Sequence, residues 1–191
     1  MKTLALALAS IAMAAGVARA DDEPSSDESP AINMLGFRIG LGQQPLAGTQ
    51  MSVMSIGLSL EHPVFRPVRV FGEYELVWVG RADDRTMPAA VEQYGDGHRI
   101  HTGLRASLVA KRIGGVRLFV DGELGGGFAL ISDNLTGVHA MPHLLFGVRA
   151  GYDLYARNSP SRRFEAEILV RGIETADGVG AMFGVGMLWG N

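Results

Sequence analysis

The chain has 191 residues, 47% of them hydrophobic, with a formal net charge of −3 and no cysteine. The missing cysteine excludes a disulfide framework and a cysteine-linked lipid anchor. Beyond residue 30, fifteen Lys and Arg stand against fifteen Asp and Glu; with neither a basic excess nor basic and aromatic residues interleaved, nucleic acid is not an expected partner.

The N-terminus reads as a secretory signal. Lys2 is followed by an apolar run from Leu4 to Val17 and by the small-x-small site Ala18-Arg19-Ala20. That run is too short to span a bilayer and an acidic stretch follows it, so removal after Ala20 is expected, leaving 171 residues. Residues 21–32 open with DDEPSSDESP, five acids and no base, the composition of a disordered tail. After the signal no stretch approaches the roughly 18 uncharged apolar residues of a transmembrane helix, so residues 33–191 must carry their apolar content on strands.

Alternation supports this. In Val70-Phe71-Gly72-Glu73-Tyr74-Glu75-Leu76-Val77-Trp78 one parity holds Glu73 and Glu75 and the other Val70, Tyr74, Leu76 and Trp78. Successive strand residues face opposite sides, so one face is ionic and the other apolar. The pattern recurs around Arg105, Asp121 and Glu123, Arg149, and Glu165 and Glu167. We read eight strands: 33–43, 51–61, 67–80, 98–111, 115–130, 138–155, 161–174 and 178–189. Glycine, 26 of 191 residues, is about twice its usual share of roughly 7% and often falls inside these segments, where it permits bending or close backbone approach.

The fold class expected is all-β, an eight-stranded antiparallel up-and-down transmembrane β-barrel. Connections after strands two, four and six are short, whereas the longest, Arg81 to Gly97, follows strand three. Short periplasmic turns and longer outer loops are the rule for such barrels, which puts that loop outside. A soluble lipocalin-like barrel would have the two faces swapped, with an apolar ligand inside. Trp78, Tyr152, Tyr155 and Trp189 near strand ends, and the last strand, favour the membrane.

The last strand, Val179 to Trp189, places Ala181, Phe183, Val185, Met187 and Trp189 on one face. Here the chain resembles the small bacterial outer-membrane barrels of the OmpA/OmpX type, although it ends Trp189-Gly190-Asn191 and not on the aromatic itself. The resemblance implies an outer-membrane location, lipid as surroundings, and the barrel-assembly machinery as a partner during insertion.

Twelve charged residues share the inward parity: Arg38, Glu73, Glu75, Arg105, Arg117, Asp121, Glu123, Arg149, Asp153, Glu165, Glu167 and Arg171. An eight-stranded barrel is just wide enough for side chains to fill, so these should pair as a structural ion network in a polar, plugged interior. Arginine suits such pairing because its planar fork binds carboxylates bidentately; Lys occurs only as Lys2 and Lys111. No catalytic residue, metal or cofactor is assigned. The candidates for a catalytic or metal-binding role are His98, His101, His139 and His143, expected at the outer rim with Ser132, Asp133 and Glu174. Strands four and six are not neighbours, and Pro142 is expected to bulge the second pair. The reading is a non-enzymatic outer-membrane barrel with a structural or surface-interaction role; the alternatives are a lipid A-modifying hydrolase or acyltransferase and a periplasmic lipocalin-like carrier.

Overall fold

The computed structural model describes residues 32–65, 67–80, 94–113, 116–156 and 159–190. The expected signal segment, nearly all of the acidic tail and most of the Arg81 to Gly97 loop lie outside them. Eight strands follow in chain order: β1 (Met34–Leu46), β2 (Thr49–Phe65), β3 (Val68–Gly80), β4 (Tyr94–Ile113), β5 (Val116–Asp133), β6 (Gly137–Ala156), β7 (Ser159–Thr175) and β8 (Gly178–Gly190). Each pairs antiparallel with its chain neighbours, and β8 returns to β1, with Leu35 opposite Trp189, to close the barrel. Closure leaves no sheet edge unpaired, the condition for a sheet to stand in hydrocarbon.

All eight expected segments are strands, and all but the third run further at one end or both than the alternation suggested. Tyr94 to Gly97, expected in the long loop, pairs with Gly80 to Val77 and, from Gly95 onward, with Asp133 to Ile131. Gly95 and Gly97 break the hydrophobic pattern without breaking the sheet. An added Cβ at Gly97 would lie 2.0 Å from the carbonyl oxygen of Leu130, so glycine here serves close pairing. Pro142 likewise makes no bulge. It keeps register opposite Phe128, while pairing of β6 with β7 begins only at Leu144. Proline is tolerated there because its missing N–H faces no partner strand. Between β1 and β2 only Ala47 and Gly48 remain, with φ of 49° and 75°, the left-handed pair that a two-residue hairpin turn requires.

Parity sorts the side chains. Leu58, Leu60, Leu104, Val148, Ile168, Val170, Phe183 and Met187 are among a girdle of large apolar groups exposed on the outside. Among the described residues twenty charged or polar ones, including Arg38, Glu73, Arg105 and Arg149, are buried within. The lipocalin-like alternative needs the opposite arrangement.

The interior is layered and not uniformly polar. Toward the hairpins at residues 47–48, 134–136 and 176–177, Leu46, Met51, Val79, Ile131, Met141 and Ile173 belong to one buried apolar cluster. Toward the chain termini Ile32, Met34 and Leu188 form a second. Most of the buried charged groups lie between, while Asp133 sits at the hairpin end. Alternation identifies a face but carries no information on depth, so it missed the apolar caps at either end of the ionic layer.

Candidate functional site

The ionic layer follows from lateral register. Where β4 meets β5, Arg105 stands opposite Glu123; where β5 meets β6, Asp121 stands opposite Arg149 and Arg117 opposite Asp153; Glu75 of β3 stands opposite Arg99 of β4. Directly opposed residues with inward side chains are close enough to pair. Longer arginines also reach across the lumen. Arg149 donates from Nη1 to Glu165 and Glu167 at 2.6 Å each and to Glu61 at 3.0 Å, and from Nη2 to Asp121 at 2.7 Å. Arg105 reaches Glu73 at 2.6 Å and Glu123 at 3.1 Å and also binds Glu61. Arg38 bonds Ser59 at 2.5 Å and Glu61 at 3.2 Å and contacts Glu73 and Glu167. Arg171 bonds Glu123 at 2.5 Å and Glu73 at 2.9 Å.

Two aromatic rings cover the guanidinium groups. Phe71 lies 3.9 Å from the Arg105 carbon and Phe119 5.0 Å from that of Arg149, a geometry in which a cation is attracted to the ring face. Space is made by glycine: an added Cβ at Gly186 would fall 2.7 Å from Glu167 Oε1 and 2.9 Å from Arg38 Cγ. Asp153 binds Arg163 at 2.6 Å and Arg117 at 3.2 Å. Arg117 is the more exposed of these, near the terminal end.

Glu61, Arg99 and Arg163 belong to the same layer and were missed. Glu61 is a hub, contacting Arg38, Arg69, Arg105 and Arg149. Its parity on β2, shared with Ser55, Gly57 and Ser59, was the signal available. Arg99 binds Glu75 at 3.1 Å and the Gln44 carbonyl at 2.8 Å. Among the described residues two groups of donors have the spacing of a cation site, Glu61 with Glu165 and Glu167, and Glu73 with Glu75 and His101. In the first, the Arg149 guanidinium already stands among all three carboxylates.

The histidines part company. His98 faces outward, its ring stacked 5.8 Å from that of Tyr74 and its Nδ1 2.6 Å from the phenol oxygen. His139 lies at the hairpin end and donates from Nε2 to Asp133 at 2.8 Å. His101 and His143, expected at the rim, are instead buried in the lumen. Ser132 points outward and Asp133 inward, while Glu174 is on the outer face, so the rim assembles no Ser–His–acid arrangement from these residues. The reason is parity again: neighbours in a strand cannot converge on one substrate from opposite sides of a sheet.

No family model and no curated protein matches the sequence. The structure does have counterparts. Neisserial surface protein A superposes with a TM-score of 0.53 at 11% identity, over 82% of this chain and 95% of that one. The fold is that of the small outer-membrane barrels. Ail, the attachment invasion locus protein of Yersinia pestis, matches with a TM-score of 0.44 at 12% identity, over 84% of this chain and 99% of that one. The N-terminal barrel domain of Pseudomonas aeruginosa OprF matches with a TM-score of 0.39 at 14% identity, over 85% and 100%.

Proposed function

We propose that this chain is a non-enzymatic outer-membrane barrel, exported by a cleaved signal segment, that serves as a structural or surface-interaction protein. The observation that carries the reading is the pairing of an apolar outer girdle with a lumen closed by an ion-paired layer between two apolar clusters. Such an exterior is stable in hydrocarbon, and such an interior leaves no water-filled path. Lipid is the permanent partner; the barrel-assembly machinery acts during insertion on the alternating closing strand. The loop between β3 and β4, outside the membrane on this reading, is the segment free to bind a surface ligand. The ion network acts in stability and specificity, because its carboxylates are engaged by arginines and not left available to a substrate.

Purified protein in planar bilayers tests the proposal. No porin-like conductance is expected, and the protein should fractionate with outer membranes and show heat-modifiable gel mobility. Stable, large single-channel steps would contradict it.

A further inference from the structure

His101 and His143 sit on strands that do not touch, yet the register joins them through one residue. Gly127 of β5 stands opposite His101 of β4 on one side and opposite His143 of β6 on the other. All three positions face the lumen. A side chain at Gly127 would fill the gap, since its Cβ would lie 2.7 Å from the Cα of His101 and 2.8 Å from its Cβ. With glycine there, the two imidazoles approach edge to face, ring centroids 5.7 Å apart.

The hydrogen bonds fix what each ring offers. Nε2 of His101 lies 2.8 Å from a carboxylate oxygen of Glu73, which can only accept, so Nε2 carries the hydrogen and Nδ1 bears a lone pair. Nδ1 of His143 lies 3.4 Å from the carbonyl oxygen of Met141; it too donates, leaving the lone pair on Nε2. Both of these nitrogens, His101 Nδ1 and His143 Nε2, are buried and without a hydrogen-bond partner, in residues 1% and 6% exposed. Buried polar atoms seldom stand unpaired in a folded protein. Two neutral imidazoles, each with its other N–H held by a carboxylate or a backbone carbonyl, are how proteins present histidine to a metal ion.

We propose that His101 Nδ1 and His143 Nε2 bind one late first-row transition-metal ion, copper or zinc, in the lumen. Imidazole ligation selects these ions over magnesium and calcium, which prefer oxygen. Glu73 orients His101, and an oxygen of Glu75 lies 3.8 Å from the same Nε2. Arg99 and Arg171 pair with Glu75, which leaves the two imidazoles as the neutral donors for the ion. The apolar cluster closes the lumen above the pair, so the ion enters as the barrel folds and exchanges slowly afterwards.

The chain refolded in detergent with Cu2+, then treated with a chelator, tests this directly. About one copper per chain should remain, with nitrogen hyperfine structure in its electron paramagnetic resonance spectrum. His143→Leu, a change that extends the apolar layer and should fold, and His101→Gln should each lower the retained copper at least tenfold. His98→Gln combined with His139→Gln leaves the lumen intact and should retain it. Absence of retained copper in the unaltered chain, retention that survives the lumen substitutions, or its loss on removing the rim histidines would overturn the proposal.

Discussion

Arg149 shows what single residues contribute. Its guanidinium donates to Asp121, Glu61, Glu165 and Glu167 while itself 1% exposed. Replacing Arg149 or Arg105 by Leu leaves buried carboxylates without their partner, and breaking a buried pair costs roughly 3–5 kcal/mol. Urea unfolding of the refolded protein in detergent should show that loss; an unchanged midpoint would place these side chains in water. Arg149→Lys should fail to restore stability in full, because one ammonium cannot reproduce the planar fork that spans four acids. The identity of these charged residues was legible in the sequence, since strand parity alone selects Arg38, Glu73, Arg105 and Arg149. Their partners were not. Whether Arg105 meets Glu123 or Asp121 depends on the register between strands, which turn lengths and a bulge between Ser107 and Val109 fix. The same blindness separated His101 from His143 on paper, although Gly127 brings their rings together.

At the scale of the strand, two glycines on opposite faces contrast. Gly186 of β8 lies against Arg38 and Glu167, whereas nothing lies within 4 Å of a Cβ built at Gly72 of β3, on the outer face. Gly186→Val should therefore overpack the ionic layer and destabilise the barrel by about 1–3 kcal/mol. Gly72→Ala should be neutral or stabilise by up to roughly 1 kcal/mol, because it removes backbone freedom from the unfolded chain without meeting a neighbour. Equal losses at both sites in the same unfolding assay would contradict the assignment of faces. All eight strands were legible because each alternates for long enough to be read. Some of their ends were not, since Gly95 and Gly97 look like chain breaks in sequence and are accommodated once a partner strand is beside them.

The whole molecule inverts the usual arrangement of a soluble protein, with arginines and carboxylates inside and leucine, valine and phenylalanine outside. Composition and alternation alone left two ways to turn that sheet, around a ligand or toward lipid; closure of the barrel with Arg105 and Arg149 inward resolves the faces. An outward position then has a definite energetic signature. Leu58→Arg, Val120→Arg or Val148→Arg should cost about 2–4 kcal/mol near the bilayer midplane and less toward the interfaces, measured by unfolding from lipid vesicles. The central claim is that this face meets hydrocarbon. Because the chain has no cysteine of its own, single cysteines at Leu58, Val120 and Val148 can each carry a fluorophore without competing labels. The measurement that tests the claim most directly is collisional quenching of those fluorophores by quenchers attached to lipid chains. Strong quenching at all three positions is the predicted result; labels shielded from lipid in a water-soluble monomer would contradict it.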